Sequence, residues 1–265
     1  MPHDAPAQAS ASFDASAPVY DDLLEPNRRA AQRLVAAIPD GDYARALDVG
    51  CGTGFAAEAL IERFGVSEVT GVDPSEPMLE RCRARLAAHP GTALTLMPAT
   101  VDQMQVPDAS FDLTVSAMAF HWMPDKPAAV AAMARATRPG GIVAALAAGR
   151  GADRELLEVL RGIDEVPQVF IDGFEVQRGV DDLTAYFQDA GLQPIDVWEE
   201  LRRPVRPVDQ YLARMDAVAG HLSSGVDEAR LGRVFGRVTE ELTRRSGPEG
   251  LRFTMVKLFG VARRP

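Results

Sequence analysis

The sequence predicts an α/β protein with a doubly wound, mostly parallel sheet. Apolar segments typical of buried strands alternate with amphipathic helical segments of about 10–15 residues. Strand–helix–strand crossovers are right-handed and bring successive strands side by side, so this alternation favours a parallel sheet. A glycine-rich turn at residues 50–54 follows the first predicted strand. Ligands of such sheets bind beyond the carboxyl ends of the strands.

The first helix is predicted from Pro26, because Ala30, Leu34 and Ile38 recur at helical spacing. The strands that follow are predicted at ARALDVG, SEVTGVD, TALTLMP, FDLTVSAMAF and GIVAALAAG. The helices between them are predicted at GFAAEALIERFG, PMLERCRARLAAHPG and PAAVAAMARATRPGG. Glycine and proline at the segment ends are typical helix and strand boundaries.

After Gly149 the alternation is interrupted by a helix and an irregular stretch. A helix (VDDLTAYFQDAGL) and a strand (QPIDVWEELRRPV) follow, and two amphipathic helices precede the last strand, RFTMVKLFGVARRP. Long connections in compact domains are usually functional, so we interpret them as a cap. An Ala/Ser/Pro-rich start cannot bury enough apolar surface to order itself. We therefore expect a flexible N-terminal tail (1–18) and one domain (19–265), with core 40–150, 181–205 and 251–265 and cap insertions 151–180 and 206–250.

The composition indicates which kinds of partner the protein binds. The net charge of −10 and pI near 4.9 argue against nucleic acid, whose binding depends on Lys and Arg at the phosphates. The two cysteines, Cys51 and Cys82, can form neither a disulfide framework nor a zinc cluster, so no metal is expected. No signal peptide and no apolar run of about 20 residues is seen. We expect a cytoplasmic protein with a small-molecule substrate, no membrane partner and an oligomeric state that the sequence leaves open.

Gly50, Gly52 and Gly54 form the turn DVGCGTG. Glycine lets a ligand approach the backbone and adopts positive φ without strain. The spacing is G-x-G-x-G, whereas the dinucleotide fingerprint is G-x-G-x-x-G and a phosphate loop carries a lysine after its last glycine. Asp48, just before the turn, disfavours an anionic phosphate and favours a cationic amine. A nicotinamide-dependent oxidoreductase is therefore the weaker interpretation.

Asp73 ends the next predicted strand, about 20 residues beyond the turn, where a carboxylate can accept hydrogen bonds from both hydroxyls of a ribose. The alternative, a cap for the following helix, is weaker, because Ser75 is better placed before Pro77. Asp48 and Asp73 together predict a cationic nucleoside as the ligand.

Four ordered motifs, LDVGCGTG, GVDPSEPML, PDASFDLTVSAMAFHW and RPGG, resemble those of the class I S-adenosylmethionine-dependent methyltransferases. Within that class the chain is similar to a small-molecule group that includes trans-aconitate, ubiquinone-type and malonyl-carrier-protein methyltransferases. The resemblance covers residues 45–150. It implies a Rossmann-like sheet of seven strands, with the last strand antiparallel, and transfer of a methyl group from S-adenosyl-L-methionine to O, C or N of a metabolite.

The resemblance also implies which residues bind the cofactor. The three glycines would line its methionine part, Asp48 would face its ammonium group, and Asp73, with Pro74 beside it, would hold the ribose hydroxyls. Met78 would lie against the adenine, although a place in the ordinary helix-to-sheet core is an equally good interpretation.

Further cofactor contacts are implied for Thr100, Val101, Ala117 and Tyr20. Relatives usually carry an acidic residue at the position of Thr100, and a neutral hydroxyl is a weaker acceptor for the adenine amino group. Asp102 could replace that acid. The backbone N–H of Val101 could meet an adenine nitrogen, and Ala117 would approach the methionyl chain. Tyr20 would cover the methionine end, unless it only anchors a helix.

His121 is the candidate catalytic residue, because it follows the fourth strand, where acceptor and methyl group should meet. A structural place in the pocket wall is the favoured alternative, since methyl transfer chiefly requires positioning and leaves a dedicated base optional. In an alternative interpretation, the protein binds the cofactor without transferring its methyl group. It would then catalyse a cyclisation or a rearrangement, or have a regulatory role.

Overall fold

The structure, a computed structural model, describes residues 13–14, 17, 20–175, 177–219 and 226–265. The main sheet contains seven strands, namely β1 (Arg45–Val49), β2 (Glu68–Val72), β3 (Ala93–Met97), β4 (Phe111–Ala117), β5 (Thr137–Ala148), β6 (Gln193–Arg202) and β9 (Met255–Arg263). Two short strands, β7 (Val205–Arg206) and β8 (Leu251–Arg252), form a separate antiparallel ribbon.

The strand order of the main sheet is β3-β2-β1-β4-β5-β9-β6. Strands β1 to β5 pair in parallel, whereas β9 lies antiparallel between β5 and β6. The predicted seven-stranded, doubly wound sheet with an antiparallel last strand is therefore confirmed. Strand order reverses at the β1–β4 pair, where Asp48 lies opposite Val115 on one side and Gly71 on the other. Such a reversal opens a crevice beside the carboxyl end of β1.

Helices cover both faces of the sheet and form the cap. They are α1 (Glu25–Ala37), α2 (Phe55–Phe64), α3 (Glu76–Leu86), α4 (Lys126–Ala136), α5 (Arg154–Arg161), α6 (Gln168–Glu175), α7 (Val180–Asp189), α8 (Val208–Ala219) and α9 (Glu228–Arg244). Apolar residues of α1, α2 and α3 pack on one face, and those of α4 and α7 pack on the other. Burial on both faces explains why the central strands are apolar almost throughout.

The cap has an apolar cluster of its own. It joins α5, α6, α8 and α9 to Leu251 and Phe253, which precede β9. The β7–β8 ribbon closes the chain segment that carries α8 and α9. This ribbon spans the predicted boundary between core and cap at residues 205 and 206.

Several predicted elements differ from the structure. The strand predicted at FDLTVSAMAF ends at Ala117, and the one predicted at RFTMVKLFGVARRP is divided between β8 and β9. The helix predicted through RPGG ends at Ala136, and β5 already begins at Thr137. Pro139 lacks an N–H and disfavours helix at Arg138. The Thr137 hydroxyl donates to the Met133 carbonyl at 2.8 Å and is hydrogen-bonded to the Thr114 hydroxyl at 2.7 Å. The stretch predicted to be irregular contains α6, in which Phe170 and Phe174 pack on the cap cluster.

Most of the predicted tail, 1–12, 15–16 and 18, lies outside the described residues, as do positions 176 and 220–225 of the predicted cap. Asp14 and Ala17, which the structure does describe, contact the domain, and the flexibility of the tail (1–18) stays a prediction. Ala17 is 2% exposed, and the Ser75 hydroxyl lies 2.5 Å from Oδ1 of Asp14. Within the described ranges, no helix combines the length and apolar character needed to cross a membrane.

Candidate functional site

A cavity opens at the carboxyl ends of β1, β2 and β4. We name it the first compartment. Of the predicted cofactor residues, those that line it are Tyr20, Asp48, Gly50, Gly52, Asp73, Pro74, Met78, Thr100, Val101 and Ala117. Gly54 does not line it. The strand order therefore brings ten residues, scattered over almost a hundred positions of the sequence, to one site.

The glycine turn is shaped by positive φ angles at Gly50, Gly52 and Gly54 (71°, 52° and 90°). A Cβ atom at Gly50 would overlap that of Ala119, whereas one at Gly52 would meet no atom within 4 Å. At Gly54 it would lie 2.9 Å from Sγ of Cys82, so this glycine permits close packing of α3 instead of facing the cavity. The turn is fixed to β2 by the Gly50 N–H, which donates to the Val72 carbonyl at 2.7 Å.

Asp48 is a buried carboxylate with an unused oxygen. Its exposure is 1%, and Oδ2 accepts a hydrogen bond from the Ala57 N–H at the start of α2 (3.2 Å). Oδ1 has no hydrogen-bond partner among the described residues. Burial raises the pKa of Asp48 to about 7, against the lowering effect of the Ala57 bond. Such a group favours a cationic ligand that would restore its charged form.

Asp73 is held by two backbone groups. The Gly52 N–H donates to Oδ2 at 2.9 Å, and the Ser75 N–H donates to Oδ1 at 3.0 Å. Burial nevertheless raises the pKa of Asp73 to about 6. Ser75 caps α3 by accepting from the Met78 N–H at 3.3 Å, as predicted, which leaves Asp73 to orient the turn and face the cavity.

Met78, Thr100, Val101 and Asp102 line the far side of the same compartment. Met78 is 2% exposed. The Thr100 hydroxyl is buried and has no hydrogen-bond partner in the described part of the chain. An unpartnered buried hydroxyl is costly, and a polar ligand group beside it would relieve that cost.

The segment before α1 covers the cavity. Phe13 and Tyr20 of this segment line the cavity together with Asn27 in the first turn of α1, and burial raises the pKa of the Tyr20 hydroxyl to about 12. Asp21 attaches this segment to the glycine turn and to α3: its carboxylate accepts from the Thr53 hydroxyl (2.7 Å) and from Arg85 (2.6 Å).

A smaller second compartment adjoins the first. The two share Phe13, Tyr20, Asn27, Met118 and Trp122, and at this junction Met118 has a positive φ of 59°. Residues that line only the second compartment are His121, Ala148, Asp153, Gly173, Phe174, Gln177, Arg214 and Met215. His121 is 7% exposed and packs against Trp122, with ring centroids 4.8 Å apart. Its catalytic role stays a prediction.

Sequence reasoning missed the polar residues of the second compartment, above all Asn27, Asp153 and Arg214. One signal was present for Arg214. It lies three residues after Tyr211 and one before Met215, so it occupies the buried stripe of α8, where an arginine is unusual. Asp153 has a left-handed backbone conformation (φ 53°), which no sequence pattern predicted.

A possible metal-binding group lies outside both compartments. Ligand atoms of Glu58, Glu62 and His89 fall within 4.8 Å of one another. Glu58 already forms ion pairs with Arg28 (3.0 Å) and Arg85 (3.3 Å). These cations neutralise the carboxylate, so the group gives no reason to assign a metal.

Known proteins are similar to this chain in sequence. A family model described as a methyltransferase domain matches residues 46–141. The malonyl-[acyl-carrier protein] O-methyltransferase of Serratia marcescens is 33% identical over 158 residues, which cover 60% of this chain and 56% of that protein. The chain therefore spans little more than half of this relative. The corresponding protein of Enterobacter lignolyticus is 30% identical over 230 residues, covering 86% of this chain and 84% of that protein.

Solved structures share the fold. Phosphoethanolamine N-methyltransferase 2 of Haemonchus contortus superposes with a TM-score of 0.61 at 18% identity, covering all of this chain and 61% of that one. The glycine turn, the two carboxylates, the matched domain and a relative aligned over most of its length agree, and the chain belongs to the class I S-adenosylmethionine-dependent methyltransferase family.

Proposed function

We propose that the protein transfers a methyl group from S-adenosylmethionine, bound in the first compartment, to a small molecule bound in the second. One observation carries the proposal: a glycine-lined cavity holds the buried carboxylates of Asp48 and Asp73, both with raised pKa values, and Oδ1 of Asp48 is unpartnered among the described residues. An amino group is the partner that Oδ1 of Asp48 lacks, and each Asp73 oxygen, which already accepts one backbone N–H, can accept one more hydrogen bond from a ribose hydroxyl.

The described residues fit the cofactor along its length. Asp48 would accept from its ammonium group and Asp73 from its ribose, while Gly50 and Gly52 leave room for its methionyl chain. Thr100 offers an unpartnered hydroxyl at the adenine end, next to the Val101 backbone and Met78. When bound, the sulfonium supplies the reactive methyl group. Tyr20, Met118 and Trp122 line the junction with the acceptor compartment and would exclude water from that junction.

The second compartment supplies the position for the acceptor. It opens on the first at Met118 and Trp122, so a molecule inside it can face the methyl group in line. Both relatives described above are named as methyltransferases of malonyl-[acyl-carrier protein]. We propose that a comparably small group enters this compartment here.

Replacing Asp73 by Ala (D73A) tests the cofactor site. We expect affinity for S-adenosylhomocysteine, measured by calorimetry, to fall at least about 100-fold, because two hydrogen bonds to a carboxylate are lost. Asp196→Ala (D196A) is the control, since Asp196 is exposed on β6 and lines neither compartment. Unchanged affinity in D73A would refute the site.

Product analysis distinguishes methyl transfer from the alternative, a cyclisation or rearrangement in which the cofactor keeps its methyl group. Incubation with S-adenosylmethionine and a panel of small carboxylic acids, phenols and amines should release S-adenosylhomocysteine with at least one member. Conversion of a substrate without that release would support the alternative.

A further inference from the structure

Arg214 places a positive charge in the second compartment. It is the only arginine or lysine among the described residues that line either compartment. Its exposure is 8%, and it comes from α8 of the cap, whereas the cofactor residues come from the core and its cover. A buried guanidinium is costly unless matched acceptors surround it, and its fork fits a carboxylate with two parallel bonds.

Asp153 only partly satisfies that charge. Nη1 of Arg214 is 3.4 Å from Oδ1 of Asp153, and the same oxygen accepts from the Tyr211 hydroxyl at 3.0 Å. One long contact to a shared oxygen is far from a bidentate pair. The backbone of Asp153 is left-handed, and its side chain does not cap α5 although it stands at the N-cap. Unusual conformations of this kind cluster at functional sites.

A second donor is oriented at the junction of the compartments. Nζ of Lys257 donates to Oδ1 of Asn27 at 2.7 Å, and the Asn27 side chain is hydrogen-bonded to Tyr20. The Asn27 bond lowers the pKa of Tyr20, as an amide N–H that donates to the phenolic oxygen would. The hydroxyl hydrogen of Tyr20 is then available to a ligand.

The surroundings also favour an added anion. Burial and the nearby Arg214 lower the pKa of Lys257 to about 7, and Asp153 opposes that shift. The cations in this region are Arg214 and Lys257, and Asp153 is the carboxylate that acts on both Lys257 and Tyr211. Asp21 and Asp73 act on the Tyr20 hydroxyl, Glu155 acts on the Tyr211 hydroxyl, and His121 lines the same compartment. An anionic ligand would relieve the repulsion between the cations.

Apart from His121 and Gln177, the remaining wall is apolar and continues outward. Phe174 and Met215 line both the second compartment and a groove formed by Leu156, Leu160, Phe170, Leu212, Val234, Phe235 and Val238. A ligand with its charge at Arg214 therefore finds an apolar path behind it.

We propose that the second compartment binds its acceptor through a carboxylate, held by the Arg214 guanidinium and the Tyr20 hydroxyl, with an apolar body directed towards Phe174 and Met215. The proposal rests on the proposed function, since it takes this compartment as the acceptor site. It adds the chemical class of the acceptor.

The test measures binding of octanoate and dodecanoate against their primary amides, by calorimetry with S-adenosylhomocysteine saturating. We expect the wild type to bind each carboxylate at least about tenfold more tightly than its amide. Dodecanoate should bind more tightly than octanoate. Arg202→Met (R202M) is the control, because Arg202 is largely exposed and lines neither compartment.

The decisive comparison is made in variants that lack the Asp153 carboxylate, because removing Arg214 alone would leave that buried carboxylate without its cation. Asp153→Asn (D153N) keeps Arg214 and should retain or increase the preference for carboxylates. The double variant R214M/D153N differs from it only at Arg214 and should lose the preference, with affinity for S-adenosylhomocysteine within about twofold. An undiminished preference in the double variant would overturn the proposal, as would failure of the wild type to bind or prefer either carboxylate. Failure of S-adenosylhomocysteine to bind the wild type would instead refute the proposed function.

Discussion

At the scale of single residues, Asp48 combines full burial with an oxygen that lacks a partner in the described structure. The charged form is disfavoured in the ligand-free protein, since burial raises its pKa to about 7. A bound cation would reverse that balance. Ligand binding and deprotonation of Asp48 are therefore coupled.

We expect the affinity for S-adenosylmethionine to fall as the pH drops through about 7, because protonated Asp48 cannot attract an ammonium group. Asp48→Asn (D48N) should bind about 10- to 100-fold more weakly at pH 8 and lose most of this pH dependence. The part of the pH dependence that comes from Asp73, whose pKa is about 6, should remain in D48N. Calorimetry at pH 5.5, 7 and 8.5 measures both effects.

Stability supplies an independent check of the same shift. A folded pKa above the unfolded value of 3.8 means that the folded state binds more protons between these pH values. The contribution of Asp48 to stability is thus full below pH 4 and is lost as the pH rises through 7. Ligand-free D48N should gain melting temperature over the wild type at pH 8 but not at pH 4; an equal difference at both pH values would contradict the shift.

The residues that could be predicted from sequence are those whose role depends on a local pattern. Asp48, Asp73 and the glycines follow strand ends at fixed spacing, so their meeting point follows from the topology. Asn27 and Arg214 could not be placed in this way. Their positions depend on how α1 and α8 pack over the sheet, and that packing is long-range.

At the scale of elements, Asp21 attaches the segment before α1 to the rest of the site. Its carboxylate meets the Thr53 hydroxyl, Arg85 at 2.6 Å and Arg81 at 3.4 Å. The Asp21 side chain is 26% exposed, so each contact is partly screened. Together they hold Tyr20 over the first compartment.

Asp21→Ala (D21A) should speed the dissociation of S-adenosylhomocysteine by roughly 3- to 10-fold, because the cover opens more often once these contacts are lost. Stopped-flow fluorescence measures the rate. Asp22→Ala (D22A) is the matched control, since Asp22 is the exposed neighbour in the same segment. Equal rates in D21A and the wild type would show that the cover opens independently of Asp21.

The ends of helices and strands also depend partly on local sequence and partly on long-range packing, and only the local part could be predicted. Ser75 as the cap of α3 follows from sequence and is observed. The start of β5 at Thr137 was missed, because pairing with Phe111 extends the strand beyond its apolar run. Helix α6 was missed since Gly173 weakens its local signal, and packing of Phe170 and Phe174 compensates.

At the scale of the whole molecule, core and cap are intertwined along the chain. The cap cluster includes Phe253, and Glu155 at the start of α5 accepts from the Thr254 N–H (2.8 Å) and hydroxyl (2.6 Å). Tyr211 of α8 is joined to Asp153 before α5. We propose a single domain, residues 19–265, in which the cap does not fold separately.

Calorimetric unfolding should therefore show one cooperative transition, which moves upward as a whole when S-adenosylhomocysteine is added. At about 100 times the dissociation constant, the ligand should contribute about 2.7 kcal/mol. Two separable transitions, with only one responding to the ligand, would contradict the single domain.

The place of β9 has a consequence for biosynthesis. A ribosome releases β5 and β6 before β9, yet each of them pairs with β9 in the finished sheet. Until β9 emerges, the backbone N–H and C=O groups of β5 and β6 that pair with it have no partners. Such open strand edges can pair with other chains. Synthesis of the α8–α9 segment sets the length of that exposure, so the nascent protein depends most on chaperones just before its sheet can close.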